Sequence, residues 1–238
     1  MAYKFTIIIP VYNEEDNLAR LESELSKYIN IASVTTAVLF VNDGSTDTSA
    51  NLIESMCELH TAFKFISFKE NQGLSTALKA GFDAVDSEWV GYMDADLQTT
   101  PNDFNRLLAF RNDYELVTGV RTNRKDDFIK KISSKISNGI RRAFTKDGIN
   151  DTGCPLKVFK TDYAKRIPMF KGLHRFLPAM VLLQNGCVKQ VTVQHFPRLA
   201  GTSKFGVWNR VFGTLIDCFA FLWMKRTYIH YHIDKSHL

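Results

Sequence analysis

Two glycine-rich signatures are missing. The chain has no G-x-G-x-x-G and no G-x-x-x-x-G-K-[ST], which excludes a dinucleotide fingerprint and a phosphate-cradling P-loop. If a nucleotide diphosphate binds, a metal must hold its phosphates. Cysteine is sparse. Cys57, Cys154, Cys187 and Cys218 show neither C-x-x-C pairing nor metal-ligand spacing, so they read as reduced, mostly buried thiols. Met1-Ala2-Tyr3-Lys4 leads straight into a strand without a signal-peptide pattern. No RNA- or DNA-binding motif is visible, so nucleic acid is not expected as a partner. The most apolar stretch, Val207 to Met224, is interrupted by Asn209, Arg210 and Asp217. An Arg or Asp near a helix centre costs roughly 2.5–3.5 kcal/mol on insertion scales, so no transmembrane span is expected there.

What is present is ordinary in bulk and uneven in detail. The 238 residues, 45% of them apolar, suffice for one large core or two small ones. Residues 1–120 carry 8 Lys and Arg against 18 Asp and Glu, a net of −10. Residues 121–238 carry 22 against 7, a net of +15. A basic half beside an acidic half points to a polyanionic partner or an anionic membrane surface.

Short β-branched apolar runs at Phe5–Val11, Thr36–Val41, Phe63–Phe68, Trp89–Met93 and Leu116–Gly119 read as buried strands. Helical patterns separate them, carrying Leu18, Leu21 and Leu25, then Leu52, Ile53 and Met56, with Ser45 or Thr46 expected as the cap of the second. An Ala-rich helix to about Val85 and another opened by Pro101 follow. Alternation every 25–30 residues predicts βαβ units on a mostly parallel sheet flanked by helices. Polar residues gather after the strand ends, at Asn13-Glu14, Asp43, Gln72 and Asp94–Asp96, where open α/β sheets bind ligands.

Tyr92-Met93-Asp94-Ala95-Asp96-Leu97-Gln98 concentrates the chemistry. Along an extended backbone Asp94 and Asp96 would share one side. With the Gln98 carbonyl in reach, they form a set of hard oxygen ligands suited to Mg²⁺ or Mn²⁺. An isolated D-x-D also fits a helix cap or a solvated turn.

Taken together, Ile8-Ile9-Pro10-Val11-Tyr12-Asn13-Glu14, Val41-Asn42-Asp43-Gly44-Ser45-Thr46-Asp47, Asn71-Gln72-Gly73 and Asp94-Ala95-Asp96-Leu97-Gln98 resemble family 2 glycosyltransferases with the GT-A fold, a Rossmann-like nucleotide-diphospho-sugar transferase. Asp151-Thr152-Gly153-Cys154-Pro155-Leu156-Lys157, His174-Arg175-Phe176-Leu177-Pro178 and the run from His195 to Phe205 resemble the dolichol-phosphate mannose synthase branch, which includes bacterial enzymes that load a sugar onto undecaprenyl phosphate. The resemblance covers about residues 5–226. It implies that Pro10, Tyr12, Glu14 and Asp43 hold the donor's base and ribose, and that Gln72, Gly73 and Asp94-Ala95-Asp96 complete the donor site. It places the metal on Asp94, Asp96 and Gln98. Arg121, Arg198 and Lys204, with Ser203, match acceptor-phosphate positions, and with Asp94 and Asp96 they form the catalytic set. Lys130 or Lys131 with Ser134 fits a further phosphate contact, although lysine replaces the usual arginine and offers a point charge instead of a fork.

Within residues 128–144, Phe128, Ile132, Ile136, Ile140 and Phe144 recur every four residues, and Lys130, Lys131, Lys135, Arg141 and Arg142 occupy much of the remainder. This stripe fits an amphipathic helix on an anionic membrane and fits packing on the core equally well. In Val207 to Met224, Trp208, Val211, Phe212, Leu215, Phe219, Leu222 and Trp223 share a broad face, with Lys225-Arg226 after it. An interfacial helix is expected; burial against the core or in a dimer interface is the competing reading. The expected organisation is a catalytic domain over 1–204, with a nucleotide-sugar half at 1–120 and an acceptor half at 121–204. A membrane-interface helix and tail follow at 205–238.

The expected function is inverting transfer of a sugar from a nucleotide-diphosphate sugar, UDP by default, to polyprenyl phosphate, serving cell-envelope glycan or lipid A modification. The expected location is peripheral, at the cytoplasmic face of the inner membrane, with a homo-oligomer or an integral-membrane partner left open. The alternative is transfer to a saccharide or protein hydroxyl, which needs a general base; Asp151 is the candidate.

Overall fold

The computed structural model describes residues 2–122, 139, 141–197, 207–229 and 234–235, with residues 207–214 described in backbone only. Its strands and helices are β1 (Phe5–Val11), α1 (Glu15–Ile31), β2 (Thr36–Asn42), α2 (Ser49–Leu59), β3 (Phe63–Ser67), α3 (Leu74–Ala84), β4 (Trp89–Tyr92), α4 (Asp103–Leu108) and β5 (Leu116–Arg121). After these come β6 (Lys157–Lys160), α5 (Thr161–Lys165), a 3-10 turn (Leu173–Phe176), α6 (Leu177–Leu183), β7 (Val188–Val193) and α7 (Val207–Thr227). Residues 141–145 are also helical.

Among the described residues the seven strands form one sheet in the order β3-β2-β1-β4-β6-β5-β7. Neighbours are parallel except β6, which runs antiparallel to both β4 and β5. The acidic and basic halves therefore share a sheet, with a strand of the second half inserted beside the last strand of the first. The alternation of side chains across a strand divides the core in two. Ile7, Ile9, Val38 and Phe40 face a cluster with Leu18, Leu21 and Phe104. Ile8, Leu39 and Val41 face the other, with Leu78, Phe82, Met180 and Phe221. Burial on both faces explains why β1 and β2 read as unbroken apolar runs.

The expected cap of α2 is corrected. Ser45 Oγ accepts the Asn13 N–H at 3.0 Å, Thr46 bonds to Asn13, and Asp47 Oδ1 instead accepts the Ser49 N–H at 2.9 Å. Arg141 is also corrected. It does not lie on a solvated cationic face: it is 1% exposed, and its guanidinium pairs with Asp147 and donates to the Ile149 carbonyl at 3.0 Å. Of the stripe expected over 128–144, residues 128–138 and Ile140 lie outside the described residues.

Helix α7 is docked on the core along one side and uncovered along the other. Cys218 and Phe221 are buried in the second cluster, and Asp217 pairs with Arg175 at 2.9 Å. On the opposite side Ile216 (70%), Phe219 (59%) and Trp223 (69%) remain exposed. Among the described residues no helix is long and apolar enough to cross a membrane.

Candidate functional site

The loops leaving β1, β2 and β3 are laced together at the sheet's carboxyl edge. Asn13 adopts φ 52° and bonds to Ser45 and Thr46. Glu15 accepts the Thr48 N–H at 3.0 Å, and the Glu14 N–H donates to Ser49 Oγ at 3.0 Å. Asp43 organises the third loop. It is 4% exposed, and its carboxylate accepts the N–H groups of Gln72 (2.7 Å) and Gly73 (2.9 Å) and the Asn71 amide (3.0 Å). Three bonds inside the protein make Asp43 first a loop-setting group. Gly73 then opens α3 at φ 89°, a conformation that favours glycine. Pro10, Tyr12 and Glu14 stand half-buried at the same edge, with Glu14 accepting from the Asn17 amide at 2.7 Å. An open cleft of about 480 Å³ lined by Ser67, Phe68, Lys69, Glu70 and Gln72 lies beside this platform, on the β3 side and away from β4 in the strand order.

Strand β4 ends at Tyr92, sooner than the extended alternation required. The Met93 N–H still reaches the Ile8 carbonyl at 3.2 Å, after which the chain turns. Leu97 takes φ 51° and the Gln98 N–H donates to Asp96 Oδ1 at 3.1 Å. A turn, not a pleat, sets the two carboxylates: Asp94 is half-buried and Asp96 is 4% exposed. Ala95, expected at the donor, has its side chain in the first core cluster and offers only its backbone. Two carboxylates and the Gln98 side-chain oxygen are hard oxygen donors, a set that fits Mg²⁺ or Mn²⁺. The Gln98 carbonyl itself is taken, accepting the Phe196 N–H at 2.9 Å and the His195 ring at 3.1 Å. Asp103 accepts the Gln194 N–H at 2.8 Å. His195 and Phe196 are thus fastened to the carboxylate loop, and Gln194 to the start of α4.

Arg121 closes β5. Its Nε and Nη2 donate to the two Asp151 oxygens at 2.8 and 2.9 Å, and its backbone N–H adds a third bond at 3.2 Å. The side chains are 11% and 8% exposed. Burial works against the Arg121 charge, but Asp151, with Asp94 adding to it, holds the guanidinium protonated well above arginine's ordinary value. Asp94 also acts on Tyr92, whose hydroxyl burial pushes far upward. Arg121 and the carboxylate loop therefore share one electrostatic neighbourhood. Lys131, Ser134, Arg198, Ser203 and Lys204 lie outside the described residues.

A glycosyl transferase family 2 model matches residues 6–167, which spans the three laced loops, the carboxylate turn, Arg121 and Asp151. The chain belongs to glycosyl transferase family 2. It is 28% identical over 229 residues to a dodecaprenyl-phosphate galacturonate synthase of Rhizobium johnstonii, covering 94% of this chain and 68% of that protein. It is 31% identical over 211 residues to an undecaprenyl-phosphate 4-deoxy-4-formamido-L-arabinose transferase of Shewanella sediminis, covering 87% of this chain and 63% of that protein. The chain thus spans about two thirds of the length of these relatives. The fold is that of glucosyl-3-phosphoglycerate synthase from Mycobacterium tuberculosis, with TM-score 0.72 at 14% identity over 91% of this chain and 80% of that one. The Pyrobaculum calidifontis mannosyltransferase, solved with GDP-Man and Mn²⁺, has TM-score 0.67 at 18% identity over 92% of this chain and 64% of that one.

Several residues that organise this edge of the sheet carry little signal in the sequence pattern. Arg142 donates to the carbonyls of Ile149 (3.0 Å) and Asn150 (3.1 Å), so Arg141 and Arg142 together hold the segment that delivers Asp151. Lys157 is fully buried; it donates to the Thr152 carbonyl at 3.1 Å and to that of Cys154, and lies 5.3 Å from the Tyr92 ring centre. Burial pushes its amine down to about 8, while Cys154, Asp151 and Asp94 act the other way. Ser75 Oγ accepts the Gly172 N–H at 3.1 Å and contacts His174 Nδ1 at 2.9 Å, joining the first turn of α3 to the 3-10 turn that carries Arg175. The one available signal was the motif Asp151–Lys157, which has no expected role of its own beyond the offer of Asp151 as a base.

Proposed function

We propose that this family 2 glycosyltransferase moves a sugar from a nucleotide-diphosphate sugar, with UDP as the nucleotide, to polyprenyl phosphate with inversion. The observation that carries this reading is the Arg121–Asp151 fork, within electrostatic reach of Asp94. Asp151, the candidate general base, is instead paired with a guanidinium, and the cation so held suits an anionic acceptor. The names of the two relatives support the same acceptor class.

A phosphate monoester has its second pKa near about 6, so it arrives charged and needs no strong base. One of its oxygens forms the new bond to the anomeric carbon while the bond from that carbon to the diphosphate breaks. Asp43 sets the Asn71–Gly73 loop against the donor, with Pro10, Tyr12 and Glu14 beside it. Asp94, Asp96 and Gln98 would hold a divalent cation, which when bound supplies charge neutralisation for the departing diphosphate. Arg121 receives the acceptor phosphate, joined by Arg198 and Lys204 with Ser203, and by Lys131 with Ser134. Positioning and charge compensation thereby replace proton transfer.

Such an acceptor lies in a bilayer. Ile216, Phe219 and Trp223, uncovered on α7 and followed by Lys225 and Arg226, suit the interface of an anionic membrane, here the cytoplasmic face of the inner membrane during envelope-glycan or lipid A modification. Transfer of labelled sugar to undecaprenyl phosphate, run beside saccharide and peptide acceptors with Mg²⁺ or Mn²⁺, tests the reading. Product on the lipid alone upholds it, and product on hydroxyl acceptors alone replaces it with the base-dependent alternative.

A further inference from the structure

The turn at residues 151–154 is gripped from two sides. On one side lies Arg121: an ideal Cβ at Gly153 would stand 3.2 Å from its Nη2 and 3.7 Å from Asp151 Oδ1, close enough that a side chain there would press the guanidinium aside by a few tenths of an ångström. On the other side lies Lys157. Its ammonium donates to the carbonyls of Thr152 and Cys154, the residues flanking Gly153. Lys157 sits on β6 directly across from Tyr92 on β4, two residues before Asp94. Among the described residues no carboxylate lies within ion-pair distance of it. A fully buried cation without a carboxylate partner is costly where an apolar side chain of the same length would pack. Its two carbonyl bonds, with the Tyr92 ring 5.3 Å away, are the return visible in the fold.

We infer that Lys157 is a positioning residue for the acceptor: it fixes the Thr152–Cys154 turn against Arg121 and so aims the Arg121 guanidinium at the incoming phosphate. This rests on the acceptor reading above and extends it to a residue that touches neither substrate. The Asp151–Lys157 motif then acts as one brace, with its first residue orienting Arg121 by charge and its last holding the connecting turn.

Two variants approach the turn from opposite sides. Lys157→Met keeps the stem and removes the ammonium, orphaning the two carbonyls. Gly153→Ala leaves Lys157 intact and presses a methyl toward Arg121. Each should raise the KM for undecaprenyl phosphate by about tenfold and leave the KM for the nucleotide sugar within about twofold. A second readout follows Arg121 itself. In ¹⁵N-labelled protein, solvent exchange of the Arg121 Nε–H, protected by Asp151, should accelerate in both variants. The inference falls if that exchange is unchanged in both variants, or if donor and acceptor KM rise together. Should Lys157→Met fail to fold, Gly153→Ala decides by the same two readouts. If the unaltered protein transfers no sugar to undecaprenyl phosphate, the acceptor reading has failed, and the Arg121 exchange alone then upholds or overturns the positioning role.

Discussion

Asp151→Asn separates the two functional readings most sharply. The substitution preserves shape and removes a charge whose oxygens accept from Arg121 Nε and Nη2 at 2.8 and 2.9 Å. Both side chains are about nine-tenths buried, so the loss is not softened by water. Asparagine can accept one of these bonds with its amide oxygen. Its NH₂ would meet the other guanidinium donor head-on. Breaking a buried pair by removing one partner costs about 3–5 kcal/mol, because the remaining charge is left uncompensated. For a chain of this size that corresponds to a fall in Tm of roughly 6–20 °C. Thermal unfolding and steady-state transfer together give the assay. On the positioning account the variant loses stability by this amount and loses use of the lipid acceptor, while nucleotide-sugar binding persists. A variant as stable as the parent that retains acceptor binding and loses the acid limb of its kcat/KM profile would refute the account. That pattern belongs to a general base.

Asp96→Ala should lower kcat by at least about a hundredfold, since even groups behind the ligands of a metal site cost roughly 10–100-fold; unchanged turnover in Mn²⁺ titrations would remove Asp96 from the site. Asp43→Ala should release the Asn71–Gly73 loop, cost about 2–3 kcal/mol through lost charge-assisted bonds and weaken donor binding measured by calorimetry, with acceptor KM preserved. Burial, with Arg175 beside it, pushes the His174 imidazole down to about 3. The folded value lies below the unfolded one of about 6.5, so stability is full above 6.5 and declines as pH falls toward 3, by at most about 1.4 kcal/mol per pH unit. His174→Gln should flatten the Tm–pH curve over that window, and an unaltered slope would assign the acid sensitivity to carboxylates. Replacing Ile216, Phe219 and Trp223 together by Ser should abolish sedimentation with anionic vesicles while leaving Tm within about 2 °C, because these side chains are exposed. Conversion of a dimer to a monomer in ultracentrifugation, with vesicle binding retained, would instead assign that face to a second copy.

The parts of the fold that could be read in advance are those whose logic is local. β1 to β5 announced themselves as short apolar runs punctuated by polar loops, and the positions of Asp43, Gln72 and Asp94–Asp96 follow from where those runs stop. The parts that could not be read depend on partners distant in the chain. Strand alternation puts Asp94 and Asp96 on one side of a pleat, whereas an Asx-type turn at Asp96 and left-handed Leu97 set them. Arg141 and Lys157 carry charges that pattern reasoning places in water. Both are buried because Asp147 in one case, and two carbonyls in the other, meet them there. The phase of α7 was legible only in part. Its apolar residues surround most of the helix, and what selects the docked side is Asp217, a polar residue that reaches Arg175 beside Gly172.

The central position of β6 has a consequence for how the chain is made. Among the described residues β6 is the strand that joins β4 to β5, yet it leaves the ribosome more than thirty residues after β5. A nascent polypeptide ending near residue 150 has β4 open along one edge and β5 with neither of its neighbours. Exposed edges of that kind template aggregation. Synthesis of this protein therefore passes through an interval in which these edges are unsealed, and chaperone dependence should peak there and end when residues 157–160 dock.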